Sequence, residues 1–347
     1  MKILHVIDRL NPGGAERVCI DLANIFSGRG HEVAILVLLD ESKLDSAIEH
    51  GVKTYYLKRK SKWNILNYFE FARICNQYDI IHIHMRHVYR YVMIARILCR
   101  IKPKFVFQDH FGDIQKDEGI PLFFNNFFKP RFYIGVSKTL THWAINKLTI
   151  KSDHVFLLSN IIRKYSSLKS EVHTNQRDLV MVSNIRPTKN IEFAIQVAAA
   201  TNLKLDIIGQ LVDKEYNAKL LDQIASLGLT ENISFVHNCY AVQSHLGKYK
   251  LAIHAATSET GPLVLMEYLA QGLSFLAYRT GEVSEMLSDH LPNFFMDSFS
   301  VESWKVRIKE LIAAPISQEN LISLFESGYG EDKYYTSCLE IYERILC

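Results

Sequence analysis

The sequence predicts an α/β protein of two doubly wound domains, and three observations carry that prediction. Short apolar runs of strand length alternate with segments whose apolar residues recur at helical spacing, the pattern of parallel sheets covered by helices. The alternation is interrupted once, from Arg163 to Asp178, where the chain turns polar and aperiodic, and it restarts at Leu179. A length of 347 residues allows two cores of ordinary size. The expected division is an N-terminal domain over 1–165, a linker over 166–178 and a C-terminal domain over 179–330. A last amphipathic helix over about 331–347, carrying Tyr335, Cys338, Leu339, Tyr342 and Ile345, is expected to return to the first domain.

In order along the chain, Ile3 to Ile7 reads as a strand and Asp8 to Gly14 (DRLNPGG) as a turn-rich loop. From Ala15 a helix follows, with Val18, Leu22, Ala23 and Phe26 on its apolar face and Gly28 and Gly30 as stop signals. His31 to Leu39 is the next strand, completing a Rossmann-like βαβ opening. The adjacent Gly13 and Gly14 permit close approach of a phosphate, although a plain tight turn accounts for them equally well. No GxGxxG dinucleotide fingerprint is present, which disfavours a nicotinamide dehydrogenase.

Tyr78 to His84 (YDIIHIH) reads as a buried parallel strand with His82 and His84 on one side. With His87 these form HxHxxH, a spacing that suits a metal, but no Cys or carboxylate stands at ligand spacing and the residues straddle a strand end. Arg86, Arg90, Arg96 and Arg100 mark a basic helix. Phe105 to Gln108 is a strand that ends at Asp109-His110, which puts His110 where α/β proteins contact ligands. Phe123, Phe124, Phe127, Phe128 and Phe132, interleaved with Lys129 and Arg131, read as core packing or, alternatively, as a lipid-facing stripe.

Composition narrows the function classes. The six cysteines form no CxxC pair, so reduced thiols are expected, and no apolar run approaches a membrane span. The start MKILHVIDRL puts an acid and a base after one short strand and does not read as a signal peptide. Charge is uneven: residues 1–165 hold 25 Lys+Arg against 15 Asp+Glu, whereas the remainder is acidic and the total is +3. A basic N-terminal half suits a phosphorylated partner or an anionic membrane surface.

The most informative stretch is Thr257 to Tyr278. Tyr249 to Ala255 reads as a strand, Ser258-Glu259-Thr260-Gly261 as a turn, Pro262 as the first residue of a helix stopped by Gly272, and Leu273 to Tyr278 as a strand. The helix is apolar nearly all round yet holds Glu267, and Glu259 stands eight residues earlier at its mouth. A buried carboxylate needs a partner, and a helix N-terminus attracts anions. A ligand bearing both phosphate and hydroxyl groups, such as a sugar nucleotide, meets both demands.

These features together resemble the GT-B retaining glycosyltransferases of family 4. Ser258-Glu259 followed by Glu267-Tyr268-Leu269-Ala270-Gln271-Gly272 looks like that family's donor-site signature, LNPGGAERV like its first loop, and VSNIRPTKN (Val182 to Asn190) like its second-domain phosphate loop. The resemblance implies two Rossmann-like domains facing across a cleft, the C-terminal one holding a nucleotide-sugar donor, UDP- or GDP-linked. It implies that Gly13 and Gly14 meet the diphosphate, that Lys189 neutralises it, that Glu259 with Thr260, Gly261, Pro262 and Leu263 holds sugar and phosphates, that Glu267 binds the ribose, and that His110 lies beside the anomeric carbon. The family's phosphate arginine falls on Asn184, with Arg186 the nearest substitute, and the turn reads TGP where the family often has a glycine-aromatic-glycine run.

The expected reaction is sugar transfer to an acceptor hydroxyl with retention, in surface polysaccharide or glycolipid assembly. No metal or other cofactor is expected, since no DxD occurs. The acceptor is expected to be a glycan or lipid-linked glycan, with peripheral contact to an anionic membrane, a cytoplasmic location at the inner membrane face, and no nucleic acid. The alternatives are a nucleotide-sugar epimerase of the same architecture and a non-catalytic donor-binding subunit.

Overall fold

The computed structural model describes residues 1–60, 65–111, 119–124, 128–164, 177–239, 241–259 and 262–347. The chain forms two compact units, Met1–Ile162 with Glu331–Cys347, and Arg163–Gly330. Most of the expected linker, Phe127, Thr260 and Gly261 lie outside the described residues.

The first unit runs β1 (Lys2–Ile7), α1 (Gly14–Gly28), β2 (Glu32–Val37), β3 (Lys53–Tyr56), α2 (Ile65–Cys75), β4 (Ile80–His84), α3 (Arg86–Cys99), β5 (Lys104–Asp109), β6 (Tyr133–Gly135), α4 (Lys138–Asn146) and β7 (Val155–Leu157). The second runs β8 (Arg177–Val182), α5 (Ile191–Thr201), β9 (Leu205–Ile208), α6 (Lys214–Ser226), β10 (Ile233–Val236), α7 (Gln243–Leu246), β11 (Tyr249–His254), α8 (Leu263–Ala270), β12 (Phe275–Tyr278), α9 (Gly281–Ser288), β13 (Phe295–Met296), α10 (Val301–Ala313) and α11 (Gln318–Tyr329). The last helix, α12 (Glu331–Leu346), packs on α1 and β5 of the first unit.

Among the described residues the strands make two parallel sheets, ordered β3-β2-β1-β4-β5-β6-β7 and β10-β9-β8-β11-β12-β13. The expected α/β class is therefore what the chain adopts. The order reverses between β1 and β4 in one sheet and between β8 and β11 in the other. At such a switch point neighbouring crossovers leave in opposite directions, and a crevice opens at the carboxyl ends of the strands. The central strands are apolar almost throughout because helices cover both faces; all five residues of β4 are buried.

Some local readings shift. Pro262 is the N-cap of α8, with extended ψ, and helical geometry starts at Leu263. Glu267 is half-buried rather than deep in the core, because α8 turns that face partly outward. Phe123 and Phe128 pack against the core cluster and Phe124 is inside it, so core packing explains the described part of the phenylalanine stripe. The "basic helix" is two things: Arg90 and Arg100 are exposed, whereas Arg86 is held inside.

That inward arginine anchors the first unit. Arg86 donates two hydrogen bonds to Asp109 Oδ2, at 2.9 Å from Nε and 2.8 Å from the terminal nitrogen, and its guanidinium lies over the rings of Phe111 and Trp143. Asp109 is fully buried and also accepts from the Tyr133 hydroxyl at 2.9 Å and the Phe111 N–H at 3.1 Å. Its charge is thus compensated from several directions, the condition under which a buried ion is tolerated. Between His84 and Arg86, Met85 takes φ +71°, a conformation that costs a residue with a Cβ on the order of 1–3 kcal/mol and persists only where both neighbours are fixed.

A seam of histidines runs beside this pair. His5 and His82 face one another across the β1–β4 ladder, and the His82 and His84 rings stack at 4.5 Å. His82 Nδ1 meets the Tyr342 hydroxyl of α12 at 2.6 Å. Burial depresses these imidazoles far below their ordinary range, His5 to about 3.

Two predictions follow from the packing. Arg86→Ala leaves buried Asp109 without its counter-charge, and should lower unfolding free energy by about 3–5 kcal/mol in urea titration; a loss below about 1 kcal/mol would contradict the anchoring role. Histidines with depressed folded pKa values contribute stability that is intact above about 6.5 and lost as pH falls from there toward 4, because only the unfolded chain binds protons readily in that window. The slope is about 1.4 kcal/mol per histidine per pH unit. Urea midpoints should fall steeply between pH 6.5 and 4.5, and a flat profile there would show that these rings are not buried neutral.

Candidate functional site

The residues singled out in sequence fall into two groups, each at the switch point of its own sheet. In the first unit the loop after β1 carries Gly13 and Gly14, and it is tied to the start of α3 by His87 Nε2 against Asp8 Oδ2 at 2.9 Å. Gly13 is the extended N-cap of α1, so its backbone needs no glycine. A Cβ there would instead run into the Glu16 carboxylate, which folds back over the loop. Burial pushes the Glu16 carboxyl up to about 7, against the pull of its own backbone N–H, with nearby Asp8 adding to the rise. An acidic group thus covers the helix N-terminus where the sequence led us to expect a phosphate.

His110 follows β5 and takes its position from Asp109. Its Nε2 lies 3.2 Å from His84 Nδ1, the two rings are stacked, and the Asn160 carboxamide stands beside it. Burial depresses the imidazole to about 4, so it is neutral near pH 7. The HxHxxH histidines do not converge: His87 goes to Asp8 and His82 to Tyr342.

In the second unit the loop after β8 and the loop after β11 are joined by Thr257 N–H to Thr188 C=O at 3.0 Å. Lys189 closes a short 3-10 turn (Pro187–Lys189) and forms an ion pair with Glu259. His254, the last residue of β11, brings Nε2 to 3.6 Å from the same Glu259 oxygen. Burial alone would raise the Glu259 carboxyl, but Lys189, His254 and Arg186 together hold it below the usual carboxylate value. Arg186 is exposed and close enough to act on Glu259, the electrostatic part of what the missing family arginine would supply.

Asn184 has a different job. Its Oδ1 accepts from the Gln210 N–H at 3.2 Å, and Ile185 N–H bonds to the Gln210 carbonyl at 2.9 Å, which pins the loop to the end of β9. Gly209 is required there, because a Cβ would overlap the Ser183 carbonyl. Pro262, buried, and Leu263, half-buried, begin α8, and Glu267 lies one turn further along it.

Sequence reading missed four contributors: His254, Glu16, Gly209 and the Arg86–Asp109 pair. His254 was open to the same argument that found His110, since it ends a parallel strand. Gly209 and the Arg86–Asp109 pair depend on contacts between residues distant in sequence, whereas Glu16 folds back within its own helix turn.

The family model for glycosyl transferases group 1 matches residues 164–324, and that for glycosyltransferase family 4 matches residues 12–172. No curated protein matches the chain significantly. Among solved structures, HepE of Anabaena in complex with UDP and glucose aligns with a TM-score of 0.79 and 17% identity over 99% of both chains. A glycosyltransferase from Rickettsia africae aligns at 0.77, with 17% identity over 99% of this chain and 98% of that one. WaaG, a glycosyltransferase involved in lipopolysaccharide biosynthesis, aligns at 0.68, with 16% identity over 98% of each. With its two halves matched in turn by glycosyltransferase models, and with two parallel switch-point sheets, this chain belongs to the glycosyltransferases of GT-B architecture and family-4 type.

Proposed function

We propose that the protein transfers a sugar from a nucleotide-sugar donor to an acceptor hydroxyl with retention at the anomeric carbon. The observation that carries this reading is the half-buried Lys189–Glu259 pair with buried His254 at the mouth of α8, a mixed-charge cluster suited to a ligand with both phosphate and hydroxyl groups. The second unit holds the donor: Lys189 and Arg186 face the diphosphate, Glu259 accepts from sugar hydroxyls, and Glu267 accepts from the ribose. We assign the backbone from Thr260 through Leu263 to the sugar and phosphates, with the Leu263 N–H at the start of α8 as an anion donor, and Asn184 keeps its own loop in place. The UDP and glucose held by the HepE structure support a donor of this class.

Because Lys189 already neutralises Glu259, a bound diphosphate draws on Arg186 and the α8 N-terminus for additional positive potential. No divalent ion is invoked for the leaving group. We assign His110 to the donor sugar and Gly13 and Gly14 to the diphosphate. Retention is assigned to front-face attack, in which the departing phosphate oxygen takes the acceptor proton, so no side chain acts as base.

The acceptor is a lipid-linked glycan in surface polysaccharide or glycolipid assembly, met at an anionic membrane face on the cytoplasmic side. Four large apolar side chains on α2 and α3 are exposed, Leu66 (75%), Phe69 (61%), Leu98 (60%) and Ile97 (58%), and α3 also carries the exposed Arg90 and Arg100. Apolar anchors beside cations are what interfacial binding uses. No helix among the described residues is long and apolar enough to cross a membrane.

A thermal-shift screen against UDP-, GDP-, ADP- and CMP-sugars should reveal one stabilising nucleotide, since a ligand at about 100 times its Kd contributes about 2.7 kcal/mol. Lys189→Ala and Glu267→Ala should each reduce that shift, and His110→Ala should retain it while abolishing turnover. A variant pair with an undiminished shift would remove the donor assignment. Product formed from donor alone, without acceptor, would mark an epimerase instead. Neutralising Arg90 and Arg100 together should weaken partitioning onto phosphatidylserine vesicles, and unchanged partitioning would detach the membrane from this proposal.

A further inference from the structure

The histidine seam contains a hydrogen-bonded chain that the proposed chemistry does not use. His5 Nδ1 lies 3.1 Å from His84 Nε2, and His84 Nδ1 lies 3.2 Å from His110 Nε2. His5 and His84 are completely buried, and His82 stacks on the face of His84, with Tyr342 holding His82 in turn. Burial keeps all three members of the chain neutral near pH 7. A neutral imidazole carries one proton on one of two nitrogens. Two consecutive nitrogen–nitrogen bonds through neutral rings therefore allow only two arrangements, with every proton pointing outward toward His110 or every proton pointing inward toward His5.

The inner end selects between them. Among the described residues His5 Nε2 is buried with no hydrogen-bond partner, and the neighbouring Cys19 thiol is kept protonated by burial and is only a weak donor. An orphaned buried N–H is the rarer defect in folded proteins, so the bare nitrogen belongs at this dead end. His5 then holds its proton on Nδ1 and donates to His84 Nε2. His84 holds its proton on Nδ1 and donates to His110 Nε2. His110 is left with its own proton on Nδ1.

We infer that His84, and through it His5, are positioning residues that lock His110 in the Nδ1–H tautomer, so that His110 meets its ligand as a hydrogen-bond donor and not as a base. The inference rests on the proposed role of His110 for its functional meaning, but the tautomer itself is a property of the fold. A neutral donor suits an oxygen on the sugar or the departing phosphate, whereas an imidazole with a bare outward nitrogen would compete for the acceptor proton. His5, Cys19 and His84 also bring ligand atoms within 4.8 Å of one another, as a metal site would, yet His5 Nδ1 and His84 Nε2 are already engaged with each other.

The test is nitrogen NMR of the full chain labelled with 15N in its histidine rings, at pH 7. Each of His5, His84 and His110 should show a protonated Nδ1 and a bare Nε2. Asparagine places its amide near Nδ1 and glutamine near Nε2, so His84→Asn keeps the arm to His110 and His84→Gln keeps only the arm to His5. His84→Gln should give mixed tautomers at His110 and move its titration midpoint upward from about 4, because a bond donated to the neutral ring is lost. His84→Asn should restore both readings, which a general loss of packing would not allow.

An Nε2–H His110 in the native chain, or an unchanged His110 in a folded His84→Gln variant, overturns the inference. So does one equivalent of tightly bound metal in the purified protein. Turnover in His110→Ala with these spectra as expected would sink the catalytic reading of His110 and leave the tautomer lock standing.

Discussion

The parallel pairing of β1 with β4, and of β8 with β11, is the constraint on which the rest depends. Parallel ladders place the carboxyl ends of neighbouring strands side by side, and the reversal of strand order leaves that edge open at one place in each sheet. Each functional group described above stands at such an edge or on the loop leading from it. Asp8 and the glycine pair follow β1, Arg86 follows β4, and His110 follows β5. Lys189 follows β8 and Glu259 follows β11. Side chains that chemistry requires together are thus brought together by backbone hydrogen bonds that contain none of them.

Holding polar groups at the ends of apolar strands has an energetic cost, and the two units meet it differently. In the first, one buried carboxylate receives five hydrogen bonds from three residues, and the histidines remain neutral instead of charged. In the second, a lysine and a glutamate pair directly, and a neutral histidine closes the group. The first arrangement is rigid and suits placement of a single ring. The second is an ion pair at a loop junction, with charges of both signs close to one another.

Glu16 illustrates how a helix N-terminus can be covered by a carboxyl group of its own chain. The N-terminus of α1 has free N–H groups and a positive dipole end. The carboxylate three residues after Gly13 folds onto that terminus and is itself driven toward protonation by burial.

The sequence by itself determined the two α/β halves, the loops that bear the site and the residue types on them, because strand and helix periodicity and turn residues are local properties. It marked His110 after a strand end, Glu259 at a helix mouth and Glu267 within that helix, whereas Lys189 came from the family resemblance. Only the tertiary structure decided who partners whom. Arg86 looked like one cation on a basic helix until Asp109, 23 residues away, proved to be its counter-charge. Asn184 looked like a lost arginine and is the clamp on Gln210, while Arg186 faces Glu259. His5 and His84 are 79 residues apart and exchange a hydrogen bond. Such pairings depend on register between distant strands, and a side chain's protonation depends on how much water that packing leaves around it; neither quantity is contained in any short stretch of chain.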